Sequence, residues 1–434
     1  MEIYVVKPGD TAAEVAARFG VTFERFLADN GLSASEPLVA GQAVVIQIPS
    51  EVVTATAGDT IESIAARTGT TVRELLRNNP LILESGTLYE GQTVVVAFDK
   101  PPQTTIAVNG YVYPNVDRAL LRQTLPFLTY LTIFSYGIRQ DGTLLPLFGD
   151  EPLIAAAKAG GVQPLFMLTT LGEDGKFDNT LSTVLLGDEQ KQEALFDEIV
   201  AVVKSKGYYG VDVDFEFVLP AEREQYAGFI NRLRGRLNAE NVPLVVALAP
   251  KTSAAQPGLL YEAHDYALLG AAANNALLMT YEWGYTYGPP MAVSPIDKVE
   301  QVVAFATDNI PPERLFLGVP NYGYDWPLPY IKGETKATSL GNEQAVAKAA
   351  QFGADIRFDE TAQTPYYTYT DEAGQAHEVW FEDARSVAAK LDLWEKYALR
   401  GISVWNLMRP FAAAKTVVNA RFAIEERTTA QNDL

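Results

Sequence analysis

An internal repeat constrains the first hundred residues of this chain more tightly than any other feature. Gly9-Asp10-Thr11 returns as Gly58-Asp59-Thr60, Ala16-Ala17-Arg18 as Ala65-Ala66-Arg67 and Asn30 as Asn79, all at an offset of 49. Gly41-Gln42 returns as Gly91-Gln92 at an offset of 50, so one loop residue separates the copies in length. A fixed period of this size means one supersecondary unit written twice. Each copy reads strand, helix, helix, strand. β-rich runs at 3–7 and 52–56 end at Gly-Asp-Thr, and Thr11 with Glu14 three residues on predicts a capping box. Val15, Ala16 and Phe19 follow at helical spacing, a second helix over about 22–30 stops at Asn30-Gly31, and a strand at 43–48 closes the unit. Units of about 48 residues have small cores and are marginal alone. Asp99-Lys100-Pro101-Pro102-Gln103 predicts a semi-rigid linker at 99–103, leaving units 1–49 and 50–98 before it and one large unit, 104–434, after it.

These residues resemble the LysM (lysin motif) domain: Gly-Asp-Thr, two short helices ending in Asn, then a Gly-Gln turn into a strand. The resemblance covers both copies and implies binding of N-acetylglucosamine-containing glycans in a shallow groove. It assigns Gly9, Asp10, Thr11, Asn30, Gly31 and Leu32 as contacts in the first copy. In the second it assigns Gly58, Asp59, Thr60, Asn79, Pro80 and Leu81. The plainer alternative for each residue is structural: a turn with its helix cap, and a helix terminator.

From residue 104 short apolar runs alternate with helical stretches, the pattern of βα units around a parallel sheet. The runs fall at 106–112, 130–136, 163–169, 209–217, 244–249, 277–282, 315–320 and 401–406, with helices at 190–206, 222–237, 296–309 and 382–397. Eight strands in this length predict an α/β fold, a (β/α)8 TIM barrel. No Gly-x-Gly-x-x-Gly follows any strand, which disfavours an open doubly wound sheet. The connection between the seventh and eighth runs is far longer than one helix requires. Tyr366-Tyr367 with Tyr369, the Glu372-to-Gln375 turn and Val379-Trp380-Phe381 predict an α+β insertion over about 328–380, with its helix from Asn342 to Phe352.

Composition narrows the chemistry. The chain has no cysteine and two histidines, His264 and His377, so thiol nucleophiles, cysteine-based zinc sites and His-based triads fall away. A net charge of −20 speaks against nucleic acid or an anionic membrane as partner. No apolar run is long enough to span a bilayer, and Met1-Glu2-Ile3-Tyr4 opens without the basic and apolar regions of a secretory signal. Neither a metal nor another cofactor is expected. Acid–base chemistry must come from carboxylates, tyrosines or lysines.

The fourth run, Tyr209-Gly210-Val211-Asp212-Val213-Asp214-Phe215-Glu216-Phe217, carries the carboxylates. Alternation along a strand puts Asp212, Asp214 and Glu216 on one face and Val211, Val213, Phe215 and Phe217 on the other. In a barrel the apolar set packs on helices, so the acidic set points inward and rises toward the C-terminal mouth. Burial and like charge together raise the pKa of at least one member and supply a proton donor near neutral pH. A solvated surface strand or a divalent-metal site are the alternatives.

This run resembles the D-x-x-D-x-D-x-E signature of family 18 glycoside hydrolases, with Tyr209 at its first acidic position. Met279-Thr280-Tyr281-Glu282 stands where that family has Met-x-Tyr-Asp, and Trp405 ends the eighth strand, where the family has a tryptophan floor. By resemblance Glu216 protonates the leaving oxygen, Asp214 holds the substrate's acetamido N–H with Asp212 beneath it, and Tyr281 supports the acetamido carbonyl. Trp405, Asn109, Tyr111, Tyr136, Glu282, Asn321 and Tyr322 become candidate substrate contacts. LysM repeats joined to such a barrel resemble the cortical fragment-lytic enzymes of endospore-forming bacteria. That implies an N-acetylglucosaminidase acting on cortex peptidoglycan in germination, placed in the spore coat or cortex. A chitinase and a non-hydrolytic glycan-binding lectin are the alternatives, and the acid at Glu216 disfavours the lectin.

Overall fold

The structure, a computed structural model, describes residues 1–427. Its centre is a ring of eight parallel strands: β1 (Thr104–Val112), β2 (Tyr130–Ile138), β3 (Gln163–Thr169), β4 (Gly210–Asp214), β5 (Leu244–Leu248), β6 (Asn275–Leu278), β7 (Leu315–Pro320) and β8 (Gly401–Trp405). Each pairs with the next, and β8 closes on β1 through Gly401 opposite Ala107 and Ile402 opposite Val108. All eight runs assigned from sequence contain a strand. Helices Glu189–Lys206, Arg223–Asn238, Ile296–Thr307 and Ala384–Tyr397 also lie where their periodicity puts them.

Both faces of the ring are packed, as a parallel sheet requires. Val211, Val213 and Phe215 are sealed in the core between strands and helices. Ala107, Tyr130, Phe134, Leu165, Met167, Ala247, Leu277 and Phe316 fill the interior. Strands β4 and β6 end earlier than expected, at Asp214 and Leu278, so Glu216, Tyr281 and Glu282 belong to loops at the C-terminal mouth. Phe217 departs from the expected apolar face for the same reason: the chain turns there with φ 58° and leaves the ring 40% exposed.

The long connection after β7 folds into a five-stranded antiparallel sheet beginning at Gly323, earlier than expected. Its order is Thr338–Leu340, Gly323–Pro327, Ala376–Trp380, Thr364–Thr370, Arg357–Asp359. Helix Asn342–Phe352 packs on one face, where the Tyr367 hydroxyl donates to the Ala345 carbonyl at 2.8 Å. The other face, carrying Tyr322, Tyr324, Trp326 and Trp380, turns toward the barrel mouth beside Tyr281 and Trp405.

Each N-terminal repeat pairs its two strands around two short helices, Glu2–Val5 with Ala43–Ile46 and Pro49–Thr54 with Thr93–Phe98. The second copy adds a helix, Pro80–Ser85, because Pro80 suits a first helical position. Thr60 and Ser63 form a reciprocal capping box. In the first copy Thr11 Oγ1 accepts from Glu14 N but gives its own proton to the Glu14 carboxylate at 2.9 Å, so the expected reciprocal box does not close.

The repeats are docked on the barrel. Val39 enters the core of the inserted sheet, and Ala43 and Val45 join the barrel's outer core. Ile356 N donates to Ala40 O at 2.9 Å, and Thr416 Oγ1 to Asp29 O at 2.8 Å. From the second copy, Arg73 donates to Leu128 O at 2.5 Å and Arg77 to Asn419 Oδ1 at 3.1 Å. The Pro-Pro segment therefore joins units already in contact, where the sequence suggests a spacer between separate ones.

Candidate active site

Asp212 lies at the bottom of the acidic column with no exposed surface, Asp214 above it is 6% exposed, and Glu216 opens on the cleft. The Tyr111 hydroxyl donates to Asp212 Oδ2 at 2.6 Å. Loss of hydration pushes the Asp212 carboxyl up to about 7, against the lowering effect of that hydrogen bond. Asp214 is raised well above the usual carboxylate range, by burial first and then by the charges of Glu216 and Asp212. Glu216 is raised too, by burial and then by Glu282. All three carboxyls are thus shifted toward the protonated form, as a proton donor requires. Oδ1 of Asp214 and Oδ1 of Asp212 are buried without a hydrogen-bond partner in the protein, so the column has acceptors to spare.

Tyr281 completes the column's upper end. Its hydroxyl is held protonated, by burial first and then by the charges of Asp214, Glu216, Asp212 and Glu282. Glu282, at φ 68°, accepts from the Tyr322 hydroxyl and from the Tyr324 hydroxyl at 3.0 Å, which ties the loop after β6 to the inserted sheet. Trp405 is only partly buried and rests on Tyr111 at 5.2 Å, Phe134 at 5.4 Å and Tyr113 at 6.2 Å between ring centroids. An indole seated on three rings and open above is a platform for the apolar face of a sugar. The sequence did not single out Phe134, Tyr113 or Tyr324. The Tyr322-Gly323-Tyr324 alternation after β7 was the available signal for the last.

Three expected contacts point elsewhere. Tyr136 faces the outer helix layer, stacked on Phe166 at 4.1 Å, its hydroxyl donating to buried Asp150 at 2.6 Å. A register shift between Ile133 and Tyr136 reverses the side-chain alternation of β2 and turns it outward. Asn109 spends its amide inside the ring, donating to Ser403 and accepting from Thr132, both at 2.9 Å. Asn321 donates to the carbonyls of Asn406 and Arg409 at 2.9 Å and accepts from Asn342, pinning the loop after β8. Tyr209 sits at the opposite, N-terminal end of the ring, where its hydroxyl accepts from Arg427 at 2.9 Å.

In the repeats, several assigned side chains serve the fold. Asp10 accepts from Tyr4, Lys7 N and Arg18, which holds its carboxyl down at about 2. Asp59 is held low by Thr56, Arg67 and Ser63. Asn30 and Asn79 are buried clamps, each exchanging two hydrogen bonds with Val45 or Val95. Thr11 and Thr60 are helix caps, and Gly9, Gly31 and Gly58 take positive φ. Leu32 packs on the first repeat's core, while Pro80 starts the added helix and Leu81 is 44% exposed. The Asp and Asn side chains of these loops are therefore engaged within the repeats themselves. Among the described residues, no group of three or more His, Asp or Glu is arranged to hold a metal ion, and no helix is long and apolar enough to cross a membrane.

Comparison with known proteins follows the same division of the chain. Residues 160–409, more than half of it, match Glycosyl hydrolases family 18, and 4–47 and 53–97 match the LysM domain. The chain belongs to glycosyl hydrolase family 18. As a family 18 glycoside hydrolase it is 39% identical to the cortical fragment-lytic enzyme of Bacillus subtilis (strain 168), over 99% of this chain and all of that one. It is 36% identical to the enzyme of that name from Bacillus anthracis, over 98% of this chain and all of that one. Among solved structures it resembles the Bacillus cereus spore cortex-lytic enzyme SleL, with a TM-score of 0.83 and 34% identity over 98% of both chains.

Proposed function

We propose that this family 18 hydrolase is an N-acetylglucosaminidase that cleaves β-1,4 bonds in fragments of spore cortex peptidoglycan, with retention of configuration. Asp214 and Glu216 carry this reading. They are two residues apart in the chain, Asp214 ending β4 and Glu216 in the turn just after it, a spacing too close for one sugar carbon to be flanked from opposite faces as by an ordinary nucleophile and acid. A nucleophile carried by the substrate, its 2-acetamido oxygen, removes that difficulty.

Glu216, whose carboxyl is raised by burial and then by the charge of Glu282, gives its proton to the leaving oxygen as the acetamido oxygen attacks the anomeric carbon. The unpaired Oδ1 of Asp214 accepts the acetamido N–H and stabilises the positive charge that develops on the ring formed. Tyr281 donates to the acetamido oxygen, and Trp405 supports the sugar from below. Water then opens the intermediate on the face it came from, with Glu216 as base. The LysM repeats supply affinity for the polymer, and the likeness to cortex-lytic enzymes supports action on the spore cortex during germination.

Glu216→Gln removes the transferable proton and little volume. Turnover on soluble cortex fragments is expected to fall by at least ~10³-fold with melting temperature nearly unchanged. A variant that keeps a tenth of the wild-type rate overturns the assignment.

A further inference from the structure

A cavity of about 340 Å³ opens beside Glu216, walled by Thr252, Gln256 and Tyr261 from the loop after β5, by Tyr281 and Trp283 from the loop after β6, and by Lys298 and Gln301. Its size lies within the range of small-ligand sites. Glu216 and Tyr281 are among its walls and Trp405 is not. The proton of Glu216 goes to the leaving oxygen, so a cavity walled by that acid and not by Trp405 is a place for the sugar that departs.

Among the described residues, Lys298 is the only cation on a wall that also carries Glu216 and Glu282. It stands in the first turn of helix Ile296–Thr307, with Gln301 one turn further on the same face. Its ion-pair contact is its neighbour Asp297 at 3.9 Å, and its side chain is 43% exposed. Gln256, by contrast, is committed to its own loop, accepting from Thr252 N at 2.8 Å. In a protein of charge −20, a half-exposed ammonium group whose ion-pair contact is as long as 3.9 Å is suited to meet a negative group on a bound sugar.

We propose that this cavity seats the leaving sugar and that Lys298 recognises a carboxylate carried on that sugar's 3-O-lactyl group or on the peptide extending it. The inference rests on the N-acetylglucosaminidase reading above: when N-acetylglucosamine occupies the platform, the next residue in an alternating peptidoglycan strand is a muramic acid. A chitin strand offers a neutral sugar at the same place. Lys298 is thus a specificity-determining residue, acting on KM more than on kcat.

The test uses the full chain and its Lys298→Met and Lys298→Glu variants, with kcat and KM measured at low and moderate salt. Three soluble substrates are compared: an alternating N-acetylglucosamine–muramic acid tetrasaccharide with free lactyl groups, the same sugar with peptide stems, and chitin tetrasaccharide. Lys298→Met is expected to lower the ratio of kcat/KM on acidic over neutral substrate by about five- to tenfold, through KM, and to abolish the salt dependence of that ratio. Lys298→Glu should lower it further. A loss confined to the free lactyl substrate names that carboxylate, and one confined to the stem-bearing substrate names the peptide's. An equal change on all three substrates, or none, overturns the proposal. A wild type that cleaves only chitin overturns the substrate reading itself, whatever the lysine does.

Discussion

At the scale of single residues, Asp212 couples the chemistry to the stability of the barrel. Its carboxyl is raised to about 7 in the folded chain, so folding binds a proton between the ordinary carboxylate pKa of about 4 and that value. The stability it contributes is fully present below about pH 4 and is lost as pH rises toward 7. Asp212→Asn keeps the acceptor for Tyr111 and removes the ionisation. It is expected to leave stability near pH 4 almost unchanged and to raise it at pH 8 by at least about 1 kcal/mol, read by denaturant unfolding at both pH values. With one like charge gone, the alkaline limb of the activity profile should also move to lower pH. The acidic column was legible because a strand's period of two is unambiguous over Asp212, Asp214 and Glu216. Tyr136 was not, because one register shift in β2 inverts that period and leaves no mark in composition. Asn109 lies lower in the ring than expected, opposite the first residue of β2, and Asn321, just past the end of β7, serves neighbouring backbone instead of a ligand.

At the scale of elements, the eight barrel strands were readable as apolar runs, whereas the first two strands of the insertion were not. Gly323–Pro327 continues directly from β7, and its partner Ala376–Trp380 lies some fifty residues away, so no local turn signal announces the pair. The docking of the first repeat was equally hidden, since it rests on contacts between distant segments. Gly41 tests it. A Cβ there would lie 1.8 Å from the Ile356 carbonyl oxygen, at φ +84°. Its counterpart in the second repeat, Gly91, has φ +82° with nothing within 4 Å. Gly91→Ala should carry only the cost of positive φ, about 1 kcal/mol. Gly41→Ala should cost about 2 kcal/mol or more, because the repeat must also move off the insertion. Thermal melts of the two variants make the comparison, and equal losses would mean that this contact does not hold the repeat.

At the scale of the whole molecule, the repeats and the barrel form one body. The linker prolines suggest independent modules on a tether, yet Val39, Ala43 and Val45 of the first repeat complete cores that belong to the catalytic part. Small units that are marginal alone gain stability by sharing a core in this way. The consequence for function is geometric: in the proposed reading, glycan held by the docked repeats is presented to the cleft by a body that does not swing on a tether. What defines an N-acetylglucosaminidase is which bond breaks. Cortex fragments digested with the wild type, reduced with borohydride and analysed by mass spectrometry report the sugar at each new reducing end. N-acetylglucosaminitol is the expected product, because the proposed reading seats N-acetylglucosamine over Trp405, where its acetamido group supplies the nucleophile; muramicitol at the new ends would contradict it.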